Sequence, residues 1–318
     1  MIINKKILIT GGSGFIGSNL ARELLKFNNT VYVIDDLTTG NKTNLKFEIN
    51  KSSKLIFIKS EITKYKHLET LVKKIDIIFH LAASVGVKNI MQNPVNSILN
   101  NLNTSKVIFN LASKFKKRII FTSSSEVYGL SSKILREDAR LNLGNPKIIR
   151  WNYASSKISD EFLAMSYFRE KNLRVTIVRL FNTVGKRQSK QYGMVIPRFF
   201  SQAINNEPIT VYGNGKQSRT FTYVQDVVTS LIKIIPSKKT YGEVINVGGA
   251  NKITILSLAK KIKKITKSKS KINFVPLRKV YGEGFEDCKQ RIPCVKKLKS
   301  LINYIPSTQL NKILQEIL

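Results

Sequence analysis

Residues 5 to 17 read Lys-Lys-Ile-Leu-Ile-Thr-Gly-Gly-Ser-Gly-Phe-Ile-Gly, and no other stretch restricts the fold as tightly. Ile7-Leu8-Ile9 has the uninterrupted apolar character of a buried parallel strand. Gly11, Gly14 and Gly17 follow it. Phe15, Ile16, Leu20, Leu24 and Leu25 then give the spacing of a helix running to Lys26. A strand, a glycine turn and a helix in this order let the backbone approach a pyrophosphate, whose charge meets free N–H groups and the positive helix end. Tyr32-Val33-Ile34 predicts a second strand ending in Asp35-Asp36. An acid at that distance from the turn takes the ribose hydroxyls of NAD and repels the extra phosphate of NADP. Gly11, Gly14, Phe15, Ile16, Gly17, Asp35 and Asp36 are therefore candidate cofactor residues.

The strand–helix alternation continues. Leu55-Ile56-Phe57-Ile58 predicts a third strand, followed by Glu61 and Ile62 where the adenine would lie. Tyr65 to Lys74 predicts a helix, and Ile75 to Leu81 a fourth strand. Leu81, Ala82 and Ala83 end that strand, the two alanines leaving room for a flat cofactor. Pro94 opens a long helix to Phe115. Ile119 to Thr122 predicts a fifth strand, running into Ser123-Ser124-Ser125-Glu126-Val127-Tyr128-Gly129. Open α/β sheets bind ligands beyond the C-terminal ends of their strands, which puts Ser124 and Glu126 where a reaction would occur.

Trp151-Asn-Tyr-Ala-Ser-Ser-Lys157 opens a helix predicted to reach Lys171. Tyr153 and Lys157 are four apart and share a helix face. An ammonium beside a phenol favours the phenolate, which would make Tyr153 a base for a sugar hydroxyl. Lys157 would also hold the nicotinamide ribose. Val175 to Leu180 predicts a sixth strand, and Glu243 to Val247 a strand returning to the main sheet. Between them, Gly193 to Pro197 leads into a helix through Asn205. Ile209 to Tyr212 and Arg219 to Thr222 flank Gly213-Asn214-Gly215 and predict a two-stranded hairpin. Helices are predicted over Tyr223 to Ile234 and Ile255 to Lys264. The expected architecture is α/β, a Rossmann-type doubly wound parallel sheet with a smaller, discontinuous C-terminal substrate-binding domain. The expected partition is 1–185 plus 225–250 for the dinucleotide and 186–224 plus 251–318 for the substrate.

The formal charge of +34 invites a polyanion-binding reading. Its lysines are spread along the whole chain, however, without a zinc-finger, basic-zipper or RNA-binding signature. They are read as solvated surface, and nucleic acid is not an expected partner; retention on nucleic acid that falls with salt would reverse that reading. A positive field still favours an anionic small substrate. No run of 18 apolar residues and no secretory leader is present, so a membrane span is not expected. Cys288 and Cys294 do not make a disulfide framework, and His67 and His80 lack metal-ligand companions. The expectation is a cytoplasmic protein without a metal.

The sequence resembles the extended short-chain dehydrogenases/reductases, the nucleotide-sugar epimerases, dehydratases and decarboxylases. The marks are Gly11-Gly-Ser-Gly-Phe-Ile-Gly17, the Tyr153/Lys157 pair, Arg179-Leu-Phe-Asn182 and Arg219-Thr-Phe-Thr-Tyr-Val-Gln-Asp226. The resemblance implies tightly bound, internally recycled NAD+ and a UDP-sugar substrate. It also implies a homodimer formed through helices 95–114 and 155–171. It places Asn182 near the diphosphate or sugar and pairs Arg219 with a phosphate, and it completes the candidate set with Asn101 for the cofactor and Val85, Ser125, Val195, Arg198 and Tyr212 for the substrate. Ser125 stands where dehydratases carry an acid, which argues against water elimination. Ser-Glu126-Val-Tyr-Gly and Tyr281-Gly-Glu-Gly-Phe-Glu-Asp-Cys-Lys-Gln-Arg291-Ile-Pro293 resemble the UDP-glucuronic acid decarboxylases, in which the residues matching Ser124, Glu126 and Arg291 line the carboxylate pocket. The implied activity is decarboxylation of UDP-glucuronic acid through a transient 4-keto sugar, with UDP-sugar 4-epimerisation as the alternative. A synthase that stops at the keto sugar and a non-catalytic sugar-nucleotide sensor are further options.

Overall fold

A computed structural model describes residues 2–131, 133–189, 194–282 and 286–318. Gly193, and Glu283, Gly284 and Phe285 of the late motif, lie outside the described residues. Strands β1 (Lys6–Thr10), β2 (Thr30–Asp35), β3 (Leu55–Lys59), β4 (Ile77–His80), β5 (Arg118–Ser124) and β6 (Arg174–Leu180) build one sheet. β7 (Thr183–Val184), β8 (Ile209–Tyr212), β9 (Ser218–Thr220) and β10 (Thr222–Tyr223) leave it, and β11 (Glu243–Val247) returns to pair with β6. The order is β11-β6-β5-β4-β1-β2-β3, every pairing parallel. The direction of winding reverses between β1 and β4, and the crevice beyond the strand ends at that point is where an open α/β sheet takes its ligand.

Strand alternation supplies both faces of the sheet. Ile7 and Ile9 point into one core with Leu20, Leu24, Val227 and Leu231. Leu8 points into the other with Ile78, Ile108, Phe109 and Phe121. With both faces covered, strands read as continuous apolar runs rather than alternating ones, and each fully buried Ile or Leu contributes about 1.5–3 kcal/mol. Helix Phe15–Leu25 packs on the first face and helices Pro94–Lys114 and Trp151–Lys171 on the second, where those two also pack on each other.

A third core joins Phe199, Ile209, Val211, Leu258, Ile262 and Ile313 in the smaller lobe. Here the predicted hairpin does not form. β8 pairs in parallel with β13 (Ile272–Val275), while β9 pairs with β12 (Lys252–Thr254) and β14 (Gln290–Arg291). The turn signal is genuine, with Gly213 and Gly215 at φ +71° and +70°. A type I′ hairpin turn needs two adjacent positive-φ residues, however, and these two flank Asn214. The alternating Ile209 and Val211 instead find their cover in helix Ile255–Ile265 and their ladder partner just beyond it. Part of the segment assigned to the substrate lobe also packs elsewhere. Leu298, on helix Lys296–Ile302, lies in the first core of the main sheet.

Candidate active site

The glycine turn connects β1 to its helix under tight constraint. Gly11 sits at φ +70°, and a Cβ there would lie 2.8 Å from the Ala82 nitrogen. A Cβ on Gly17 would overlap the Gly11 carbonyl and lie 2.6 Å from the Gly12 Cα. Gly14 caps the helix without any side-chain hydrogen bond, leaving the first-turn N–H groups facing the cavity. The Asp35 carboxylate, expected to take the ribose hydroxyls, accepts from Ser13 N at 2.8 Å and Leu37 N at 2.9 Å and so ties the end of β2 to the glycine turn. Burial raises its pKa above the ordinary carboxylate value, with the backbone N–H groups partly opposing. A bare helix end, glycines with no room for a Cβ and an acid closing β2 fit an adenine dinucleotide.

A cavity of about 1150 Å³ runs from Gly11 and Asp35 to Ser124, Tyr153 and Arg291. Its walls include the predicted cofactor residues Gly14, Phe15, Ile16, Gly17, Asp36, Glu61, Ile62, Leu81, Ala82, Ala83 and Asn101. Among the substrate candidates Val85, Ser125 and Asn182 also line it. Asn101 is more than lining: it accepts from Ser84 N at 2.8 Å and donates to Ser156 Oγ at 3.0 Å, tying the loop after β4 to the Tyr153 helix.

At the far end the Tyr153 phenol lies beside Ser124, which closes β5 and acts to lower the phenol pKa. The expected lowering of the phenol pKa is not found. Burial raises it above the usual tyrosine value, and the negative charges of Glu126 and Asp160 add to this. Lys157 does not line the cavity; it is 1% exposed. Its Nζ donates to Asp160 Oδ2 at 3.2 Å and lies 4.0 Å from the Phe121 ring centroid. Behind it, His80 is bonded to Thr10 Oγ1 at 2.7 Å and stays neutral, burial and the nearby Lys157 charge depressing its pKa to about 3.

Glu126 is the acid of this end. Arg291 holds both its oxygens, one at 3.0 Å, and Arg150 Nη2 donates to the same Oε2 at 3.3 Å. Burial would raise the Glu126 pKa, but Arg291 and then Arg150 outweigh it and leave it at about 2. Arg150 Nη1 reaches Asp287 Oδ1 at 3.1 Å, and Arg219 grips both Asp287 oxygens at 2.7 and 2.8 Å. The result is an unbroken line, Arg291, Glu126, Arg150, Asp287, Arg219.

Arg219 is thus buried against Asp287 and does not line the cavity, nor do Val195, Arg198 and Tyr212. The Arg198 guanidinium stacks on Tyr212 at 3.6 Å, and Tyr212 meets Tyr281 edge-on. Arg198, Tyr212 and Tyr281 thus form a cluster of their own in the smaller lobe. Arg150 is the residue that sequence reasoning missed, and a signal existed. It stands at the N-cap of helix Trp151–Lys171, whose first turn carries no acid, so a cation at the positive helix end has to find its acids elsewhere in the fold, and it finds Glu126 and Asp287. Among the described residues no group of three His, Cys, Asp or Glu side chains is placed to hold a metal, and both cysteines are free.

Residues 7–248 match the family described as the NAD dependent epimerase/dehydratase family. A protein of Bacillus cytotoxicus named UDP-N-acetyl-alpha-D-glucosaminuronate decarboxylase is 39% identical over 315 residues, 99% of this chain and 97% of its own length. UDP-glucuronic acid decarboxylase 1 of Danio rerio is 32% identical over 97% of this chain and 70% of its own. Among solved structures, a UDP-glucuronic acid 4-epimerase from Bacillus cereus in complex with UDP-glucuronic acid and NAD superposes with a TM-score of 0.88. It is 29% identical and covers 98% of this chain, which in turn covers 97% of it.

Proposed function

The chain belongs to the NAD dependent epimerase/dehydratase family and is a nucleotide-sugar-modifying enzyme, and from that premise we propose that it decarboxylates a UDP-linked hexuronic acid. The observation that carries the reading is the pair of guanidinium groups, Arg150 and Arg291, on the cavity wall with Tyr153 and Ser124. Both are engaged by Glu126 and Asp287, but with Arg219 the three guanidinium groups outnumber those two acids, which leaves this end positive toward the C6 carboxylate of a sugar whose C4 faces Tyr153. The bound dinucleotide supplies the hydride acceptor and donor that carry the sugar through a transient 4-keto form. The chain's own groups do the rest. Tyr153 takes the O4 proton, and Ser124 hydrogen-bonds the same oxygen. A carbonyl at C4 is β to the C6 carboxylate, so the C5–C6 bond breaks with its electrons moving into that carbonyl. Arg291 and Arg150 orient the leaving carboxylate, and a proton returns to C5.

The cofactor is NAD+, retained and regenerated within each turnover, with Asp35 and Asp36 disfavouring a 2′-phosphate. UDP-glucuronic acid is the first substrate, and the Bacillus cytotoxicus relative supports its 2-acetamido counterpart as the second. The nucleotide end lies with the smaller lobe, 186–224 plus 251–318, where Arg219 meets the diphosphate. Two copies pair through helices Pro94–Lys114 and Trp151–Lys171, which leave Val95, Leu99 and Phe162 exposed. No helix of the described residues is long and apolar enough to cross a membrane.

A 4-epimerase reading shares the first step and differs after it. The likeness to the Bacillus cereus epimerase favours it. The test is to incubate the purified protein separately with UDP-glucuronic acid and UDP-N-acetylglucosaminuronic acid and to measure product mass. Loss of the mass of carbon dioxide with either substrate, abolished by Tyr153→Phe, is the expected result. Unchanged mass with altered chromatographic retention identifies an epimerase and overturns the decarboxylase.

A further inference from the structure

One turn beyond Lys157 the chain carries an acid that none of this chemistry uses. Asp160 is 0% exposed and lies three residues along the same helix face. Its Oδ2 accepts from Lys157 Nζ at 3.2 Å. Its Oδ1 is also sealed from solvent and has no hydrogen-bond partner among the described residues. A buried carboxylate with one oxygen unsatisfied is a poor way to strengthen a helix, since a buried ion pair replaced by apolar groups is often neutral or better. Its position makes sense through its partner. An isolated ammonium in the interior sheds its proton unless an opposite charge is beside it.

Burial pulls the Lys157 pKa below the ordinary lysine value, and Asp160 is the main charge opposing it, with Glu161 a lesser one. From β5, Phe121 presents a ring face to Nζ, an attraction far weaker than an ion pair. From β4, His80 is neutral and repelled rather than charged. On the same helix, Glu161 is committed to Arg179, which it binds at 3.0 and 2.7 Å. Beyond Tyr153, Glu126 is held by Arg291 and Arg150.

Building on the reading of Lys157 as the partner of Tyr153, we propose that Asp160 is a positioning residue that keeps Lys157 protonated and fixes its ammonium between the helix and Phe121. The same carboxylate weakens the lysine's field at the phenol, so this chain holds a dependable cation at the expense of a less acidic tyrosine.

The test follows the lysine itself. The holoenzyme is labelled with 15N-lysine, and the Lys157 Nζ resonance is identified by its loss in Lys157→Arg. It is then followed from about pH 6 to about pH 12, below and through the ordinary lysine range. In the unsubstituted protein Lys157 stays an ammonium across physiological pH. In Asp160→Asn it loses its proton at least about tenfold more readily, and the alkaline limb of the kcat profile moves down with it; Asp160→Glu restores both. Titration of Lys157 in Asp160→Asn unchanged from that of the unsubstituted protein overturns the proposal. The resonance needs no substrate, so it decides this point even where the decarboxylase reading fails. Should Asp160→Asn not fold, the double variant Asp160→Leu/Lys157→Met decides. Folding recovered when both charges are gone supports the pairing, and folding lost in both overturns it.

Discussion

Arg291 grips Glu126 with both terminal guanidinium nitrogens, across 165 positions of sequence. This pair anchors β14 to the turn after β5 and so fixes the wall opposite Tyr153. It also has a signature in pH. The Glu126 carboxyl is depressed to about 2 from an ordinary 4.5, because Arg291 and Arg150 outweigh the cost of burial. A carboxylate with a depressed folded pKa binds fewer protons folded than unfolded as the medium acidifies. Its stabilising contribution is therefore complete above about pH 4.5 and is lost as pH falls toward about 2. Urea unfolding of the unsubstituted protein and Glu126→Gln at a series of pH values should show a stability gap at neutral pH that narrows over this window. A gap constant from pH 5 to pH 2 contradicts the pairing.

The glycine turn leaves no space for a methyl group at Gly17, where a Cβ would meet Gly11 and Gly12 backbone rather than a side chain that can swing away. Overpacking of this kind typically costs about 1–3 kcal/mol. Gly17→Ala should lower the melting temperature and remove most NAD+ affinity, read by thermal melting with and without the dinucleotide. Melting that rises with NAD+ as much as in the unsubstituted protein would show that the turn does not meet the pyrophosphate.

The two longest helices leave apolar side chains in water. Phe162 is 68% and Val95 67% exposed, on helices that pack on one another. Exposed large apolar groups on helices that pack together are candidates for an association surface. Phe162→Glu should convert a dimer to a monomer in sedimentation velocity while leaving the far-ultraviolet circular dichroism unchanged. A dimer that survives Phe162→Glu and Val95→Glu together places the interface elsewhere.

Much of this was legible because its signals are local. The glycine turn, the apolar runs of β1 to β6 and the Tyr153–Lys157 spacing each lie within a few residues. The smaller lobe was not, because β8 finds its partner β13 on the far side of a helix, and Gly213-Asn214-Gly215 imitates a hairpin. Asp287 stood in a quoted motif, but its partner Arg219 is 68 positions away and nothing in the spacing links them. Asp160 was within reach, three residues from Lys157. The amphipathic pattern of a helix does not distinguish a buried acid from a solvated one. The direction of the Tyr153 shift failed because spacing shows a lysine nearby, but not the burial of the phenol that dominates the shift, nor the negative charges of Glu126 and Asp160 that add to it.

The Arg219–Asp287 pair carries the last expectation. Sequence resemblance gives Arg219 a phosphate, yet here both Asp287 oxygens occupy it at 2.7 and 2.8 Å, and its Nη1 donates to the Cys288 carbonyl at 3.0 Å. A diphosphate reaching this guanidinium must therefore displace a carboxylate that is already paired. Substrate affinity is then a difference between two charge-assisted interactions rather than the full strength of one. Replacing Asp287 with Asn keeps the shape but removes the competing charge. UDP should bind Asp287→Asn about three- to tenfold more tightly, on the order of 1 kcal/mol, the net worth of one ordinary hydrogen bond, since the asparagine still engages Arg219 but without the charge. Isothermal titration with UDP alone measures this without turnover. Asp287 also holds Arg150 at 3.1 Å, so the variant should lose activity toward a carboxylate-bearing sugar even as it gains UDP affinity. Weaker UDP binding in Asp287→Asn would mean that Asp287 orients Arg219 for the phosphate instead of competing with it.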